Sequence, residues 1–335
     1  MNTPVLDHAR TTAPPRLPAL THSVLQVLYQ HRMMTTDQLK RLLLPHAAGA
    51  TYLRRQLRAM HAAGLVERAR TFVPRPSTAT GWAHPPRRAQ YLWYLTETAA
   101  EAVEVAGELP VRPYRVTSES VAGPRQAHTA AVNETGLAFA AHAARLGHEC
   151  GPLDWAPEVA HRIRDGQRRF EDDHVIADAV LHYVDVRQGR RRMVTLFLEV
   201  DRATMTAARL AAKISAYGRL YEYAPEPLDR ARRGTASAAP AWQATYPVFP
   251  RLLVVLDGEP SATLATRLAA RTEDLYVRTR ADPRLARLTN RVHVGVTTLR
   301  LLQEHGPFEP IFTPLLLGSP ERRPPLTDLY LRPPG

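Results

Sequence analysis

Cysteine is almost missing from this chain: Cys150 is the single one in 335 residues, which excludes an internal disulfide and a cysteine-built zinc site. Lysine is nearly as scarce. Of 44 basic residues two are lysines, Lys40 and Lys213, and the remaining 42 are arginines. No stretch approaches the roughly 18 to 20 consecutive apolar residues of a membrane span, and the amino terminus shows no charged segment followed by an apolar one. A cytoplasmic protein is the expectation. Gly-rich phosphate loops, an H-E-x-x-H motif and a G-x-S-x-G elbow are absent. His161, His174 and His182 have no partner at metal-ligand spacing, and neither an internal repeat nor a heptad pattern is present.

What is present is positive charge. A net charge of +12 and a pI near 10.3 point to a polyanion as partner, because arginines that neutralise phosphates release condensed counterions. At 37.4 kDa the chain exceeds what one core usually organises, so two domains are expected.

Residues 1–17 lack periodicity and read as a flexible leader. From there Val24, Leu25, Val27 and Leu28 mark a first helix, and Thr35-Thr36-Asp37 caps a second through Leu39, Leu42 and Leu43. A third helix over Thr51–Ala62 places Leu53, Leu57 and Met60 on one face, with Gly64 just past its end. Strands at Leu65–Glu67 and Gln90–Leu95 flank a long tip rich in Pro and Arg, and Thr96 caps a helix over Glu97–Ala106. This order over 18–109 describes a winged helix-turn-helix. Opposite its apolar stripe the third helix presents Thr51, Arg54, Arg55 and Arg58, and the tip adds Arg75, His84, Arg87 and Arg88. Such residues suit a DNA groove and its phosphates.

A linker is expected over 110–125, followed by an α/β domain over 126–306 and a Pro-rich tail over 307–335 that wraps the surface or stays loose. The α/β domain opens with a helix over 126–146. Strands are expected at 158–163, 175–184 and 193–200, the last two joined as a hairpin by Gly189-Arg-Arg-Arg192. A helix over 204–223, a loop over 225–247, strands at 252–256 and 291–296, and a helix over 261–276 complete a mixed central sheet.

Acids gather where such strands end. Glu199 and Asp201 share one strand face, Asp178 sits on the neighbouring strand, and Lys213 follows on the next helix. In a chain that uses arginine almost everywhere, a retained lysine suggests a site wanting a compact ammonium. Hard carboxylates of this kind hold Mg²⁺ or Mn²⁺, so Asp178, Glu199 and Asp201 are candidate metal ligands, with Lys213 beside them as a fourth catalytic candidate. Glu134, on the helix that opens the domain, is a further candidate carboxylate, Arg202 would add charge, and Tyr217 shares the face of Lys213.

The helix, hairpin and acids resemble the PD-(D/E)XK nuclease fold, with a departure: Asp201 stands where that pattern places its lysine, and Lys213 would be the migrated substitute. More narrowly, His128-x4-Asn133-Glu134, Ala177-Asp178-Ala179, Phe197-Leu-Glu199-Val-Asp201-Arg202-x-Thr204 and Lys213-Ile-x2-Tyr217 look like the replication-relaxation family of plasmids and integrative elements. The resemblance implies a part in plasmid replication or mobilisation, with DNA and replication or conjugation proteins as partners, and gives His128 and Asn133 an accessory place. Three readings stay open: a metal-dependent nickase akin to relaxases, a non-catalytic DNA-binding accessory factor or regulator on a degenerate nuclease fold, and recruitment of a partner through the winged helix in a conjugation or replication complex.

Overall fold

The structure, a computed structural model, describes residues 17–70, 91–112, 114–123, 125–166, 169–225, 239–318 and 323–332. The amino-terminal part runs α1 (Ala19–His31), β1 (Met34–Thr35), α2 (Thr36–Leu43), α3 (Thr51–Ala62), β2 (Val66–Arg70), β3 (Tyr91–Leu95) and α4 (Glu97–Ala106). Thr35 caps α2 in a reciprocal box with Gln38, and Thr96 caps α4. Each satisfies backbone donors that a helix start leaves unpaired. The three strands form an antiparallel sheet in the order β1-β3-β2; the two-residue β1 is too short to leave an alternation in the sequence. Leu53, Leu57 and Met60 bury one face of α3, as its periodicity demands.

Residues 110–125 carry a short helix, α5 (Ser118–Ala122), whose Val121 is buried against Met33, Leu92 and Tyr94. Then comes α6 (Gln126–Leu146), followed by β4 (Trp155–Arg162), a single turn α7 (Phe170–Asp173), β5 (His174–Arg187), β6 (Arg190–Asp201) and α8 (Ala207–Glu222). After a 3-10 turn at Ala241–Ala244 come β7 (Arg251–Leu256), α9 (Leu264–Ala281), α10 (Pro283–Arg287), β8 (Val294–Thr298), α11 (Leu299–His305) and β9 (Thr313–Pro314). The sheet is mixed, in the order β4-β5-β6-β7-β8-β9, with β6, β7 and β8 parallel and the other neighbours antiparallel.

Two expectations need correction. The turn between β5 and β6 is not the arginine run: Arg187 pairs with Arg190, and Gln188 and Gly189 both adopt positive φ. That is the geometry of a two-residue hairpin loop, so Arg190–Arg192 are strand residues. The tail is no loose wrap over its described part either. Phe312, Leu315, Leu316, Leu329 and Leu331 are buried, and β9 closes the edge of the sheet beside β8; apolar anchors at this spacing override the prolines.

Alternation along the strands divides the interior. On one face Leu196, Leu198, Val200, Leu253 and Val255 meet α6 and α11, and this core runs on continuously into α1–α4. On the other, Phe197, Leu252 and Val254 meet Leu210, Ile214 and Tyr217 of α8 and Leu275 of α9. Each such side chain contributes about 1.5–3 kcal/mol. The joint between the amino-terminal helices and the large sheet is Trp155, fully buried and stacked on His31 at 4.2 Å. Gly136 makes room for it, since a Cβ there would lie 2.4 Å from the Trp155 ring.

Candidate functional site

At the carboxyl end of β6 the two layers of helices reach around to a common point. Glu199 points toward α8, which brings Lys213 and, one turn on, Tyr217 to the same place. Lys213 Nζ donates to Asp178 Oδ1 at 3.0 Å and pairs with Glu199 Oε2. The Tyr217 hydroxyl donates to Glu199 Oε1 at 2.5 Å. Asp178 Oδ2 accepts the Val200 backbone N–H at 2.8 Å and lies 3.5 Å from His128 Nε2 on α6. A chain of polar contacts therefore runs from half-exposed His128 to fully buried Tyr217.

Charge within this cluster is set by burial and by neighbours. Burial alone would raise the Asp178 carboxyl, but His128, the Lys213 charge and the Val200 amide outweigh it and hold it at about 2. Glu199, 2% exposed, goes the other way: burial and then the Asp178 charge push it well above the usual carboxylate range. The two carboxylates outweigh burial at Lys213 and raise its ammonium, while burial and Glu199 push the Tyr217 hydroxyl far up. One ammonium thus faces two carboxyl groups whose affinities for a proton are pushed in opposite directions.

Asp201 does not join it. Its Oδ2 is taken by Arg271 of α9, whose Nη2 also donates to Met205 O at 2.7 Å. Burial raises the Asp201 carboxyl against the pull of Arg271, and its Oδ1 is buried without a hydrogen-bond partner. Arg202 turns away to Glu259 and Asp257. Glu134 lies elsewhere too: Gln38 and Arg41 of α2 donate to its Oε1 at 3.0 and 2.5 Å, and Gln303 of α11 to its Oε2 at 3.1 Å. Buried Asn133 donates to Met33 O at 2.8 Å. These two residues of α6 tie the amino-terminal helices down and take no part in the acidic cluster.

A divalent ion needs free hard oxygens. Both oxygens of Asp178 and of Glu199 and one of Asp201 are bonded to protein donors, which leaves only Asp201 Oδ1. Among the described residues no group of three or more His, Cys, Asp or Glu side chains is gathered as metal ligands would be. In this arrangement the residues do not fit a resident Mg²⁺ or Mn²⁺.

The second candidate surface is α3. Thr51, Arg54, Arg55 and Arg58 are all exposed, and no described carboxylate pairs with any of the three arginines. Arg58 Nε donates to the Arg54 carbonyl at 3.3 Å, and the Arg55 guanidinium lies over Tyr52 at 5.3 Å. By contrast Arg32, Arg41, Arg115, Arg271 and Arg284 each hold an acid. Arg68, over the ring of Tyr91 at 4.5 Å, and Arg70 extend the exposed basic surface along β2. Neither was expected from the sequence: alternation would put Arg68 and Arg70 on the same strand face as buried Val66. Arg75, His84, Arg87 and Arg88 lie outside the described residues.

No helix among the described residues is long and apolar enough to cross a membrane. Comparison with curated proteins and with solved structures finds no match. A family model described as Replication-relaxation matches residues 25–233, from α1 through the acidic cluster and α8. With well over half of its length matched, the chain belongs to the replication-relaxation family.

Proposed function

We propose that the protein binds double-stranded DNA through the exposed face of α3 and serves in the replication or mobilisation of a plasmid or related element. Residues 18–109 act as a winged helix-turn-helix, and residues 126–306 as a PD-(D/E)XK-like scaffold whose acidic cluster stabilises the fold. The observation that carries this reading is the set of three arginines on α3 left without acids in a protein where many arginines are paired. Such side chains fork onto guanine edges or clamp phosphates from a helix lying in the major groove. The membership of the replication-relaxation family supports the process. The test is fluorescence anisotropy with duplex DNA at several salt concentrations: binding that weakens steeply with salt is expected, and none at low salt would overturn the proposal.

A second reading, metal-dependent nicking, is favoured by the meeting of Asp178, Glu199 and Lys213 at one point. It requires Lys213, Tyr217 and the Val200 amide to release carboxylate oxygens that they hold here. Supercoiled plasmid incubated with Mg²⁺ or Mn²⁺ tests it. Nicking by the wild type that Asp178→Asn abolishes, with DNA binding retained, would establish it; intact plasmid under binding conditions would dismiss it.

A further inference from the structure

At the end of the large sheet opposite Asp178, the amino-terminal ends of β6, β7 and β8 bring together positive charges that pair with no described carboxylate. Arg251, the first residue of β7, is only 7% exposed. Its Nε donates to Tyr330 O at 3.1 Å, and its guanidinium lies 5.4 Å from the Tyr330 ring centroid. Arg192, near the start of β6, sits over the same ring at 4.9 Å. Arg332 follows two residues after that ring, and His293, just before β8, adjoins Arg251 through its carbonyl, which accepts the Leu252 N–H at 2.9 Å.

The nearby acids make other direct contacts, although the Asp328 charge still favours the Arg251 cation. Asp185 takes Arg187 at 2.9 Å, together with the Tyr330 hydroxyl, and faces His148 at 3.4 Å. Asp328 Oδ1 accepts the Tyr330 backbone N–H at 2.9 Å. None of Arg192, Arg251 and Arg332 pairs with a described carboxylate. Burial and then the charges of Arg332 and Arg192 lower Arg251 below the ordinary arginine value, and burial with Arg251 and Arg332 does the same to His293. Like charges brought this close, one of them buried, oppose folding unless an anion joins them. Guanidinium forks match the oxygens of a phosphate group.

We propose that Arg192, Arg251 and Arg332, with His293 beside them, form a phosphate-binding site, distinct from α3 and from the acidic cluster. Its ligand carries phosphate oxygens, supplied either by a nucleic-acid backbone or by a small phosphorylated molecule. The site does not depend on the reading of α3.

The test is thermal unfolding of the full chain in sodium phosphate and in sodium chloride at equal ionic strength and pH. The proteins are wild type and the variant Arg192→Ala/Arg332→Ala, which changes exposed residues and leaves buried Arg251 in place. Phosphate raises the wild-type Tm above its value in chloride, and the variant loses that increment. In chloride the variant melts no lower than wild type, because repulsion has been removed. No phosphate increment in wild type, an increment kept by the variant, or a variant that melts lower in chloride would each overturn the proposal, the last by making these arginines structural.

Duplex DNA binding separates the sources. If the ligand is backbone phosphate, the variant lowers the log–log salt slope by about 0.9 for each phosphate it no longer neutralises. An unchanged slope, with the phosphate increment still lost, assigns the site to a small phosphorylated molecule.

Discussion

Replacing Lys213 by methionine keeps the stem of the side chain and removes the ammonium that Asp178 and Glu199 share. In the folded protein the Asp178 carboxyl titrates at about 2, against an ordinary 3.8. At about 1.36 kcal/mol per pKa unit this corresponds to roughly 2.4 kcal/mol at neutral pH. Asp178 and Lys213 keep 16% and 24% side-chain exposure, so solvent screening trims it to about 2 kcal/mol. His128 and the Val200 amide remain in the variant and retain part of this. The expected cost of Lys213→Met is therefore about 1–2 kcal/mol at pH 7. A depressed carboxyl contributes its full stabilisation above its unfolded value and loses it as pH falls through its folded one. The gap between wild type and variant should accordingly be constant from pH 7 to 5 and shrink to roughly two thirds by pH 3. Urea unfolding followed by tryptophan fluorescence at pH 7, 5 and 3 measures it. A gap that does not change with pH, or a variant equal to wild type at pH 7, would refute the electrostatic account of the cluster.

Other outcomes follow from packing and burial. Gly136→Ala drives a methyl into the Trp155 ring and should cost about 1–3 kcal/mol in the same urea assay. Asn133→Ala deletes the 2.8 Å bond to the Met33 carbonyl from a site 1% exposed; about 1–3 kcal/mol is expected, and a loss of less than half of that would remove Asn133 from the joint. Burial pushes the Cys150 thiol up, so a thiol-reactive disulfide reagent at pH 8 should label it only after denaturant is added. Rapid labelling of the native protein would contradict that burial.

Much of the fold was legible because single elements announce themselves. The expected bounds of α3, Thr51–Ala62, coincide with those observed, since its apolar positions recur at helical spacing and Gly64 follows. The hairpin of β5 and β6 was legible in its middle, but its turn was misplaced because Arg190–Arg192 are exposed on the strand and show no alternation. Prolines concealed β9, whose pairing with β8 depends on residues far along the chain. At the site, Asp178, Glu199 and Lys213 were legible from strand and helix spacing. The fate of Asp201 was not: Arg271 lies 70 residues away, one arginine among 42. Glu134 was read as a further candidate carboxylate because its partners, Gln38, Arg41 and Gln303, come from two distant helices that only the tertiary fold brings to it.

The central claim is that α3 is the DNA-binding surface. The variant Arg54→Ala/Arg55→Ala/Arg58→Ala changes only exposed side chains and should leave stability within about 0.5 kcal/mol. Anisotropy titrations of wild type and variant with the same duplex, from about 50 to 200 mM salt, measure the slope of log K against log salt. A weaker complex is expected, with the slope reduced by about 0.9 for each phosphate that the variant leaves unneutralised. Equal affinity and equal slope in a folded variant would contradict the claim and move the DNA-binding surface away from α3.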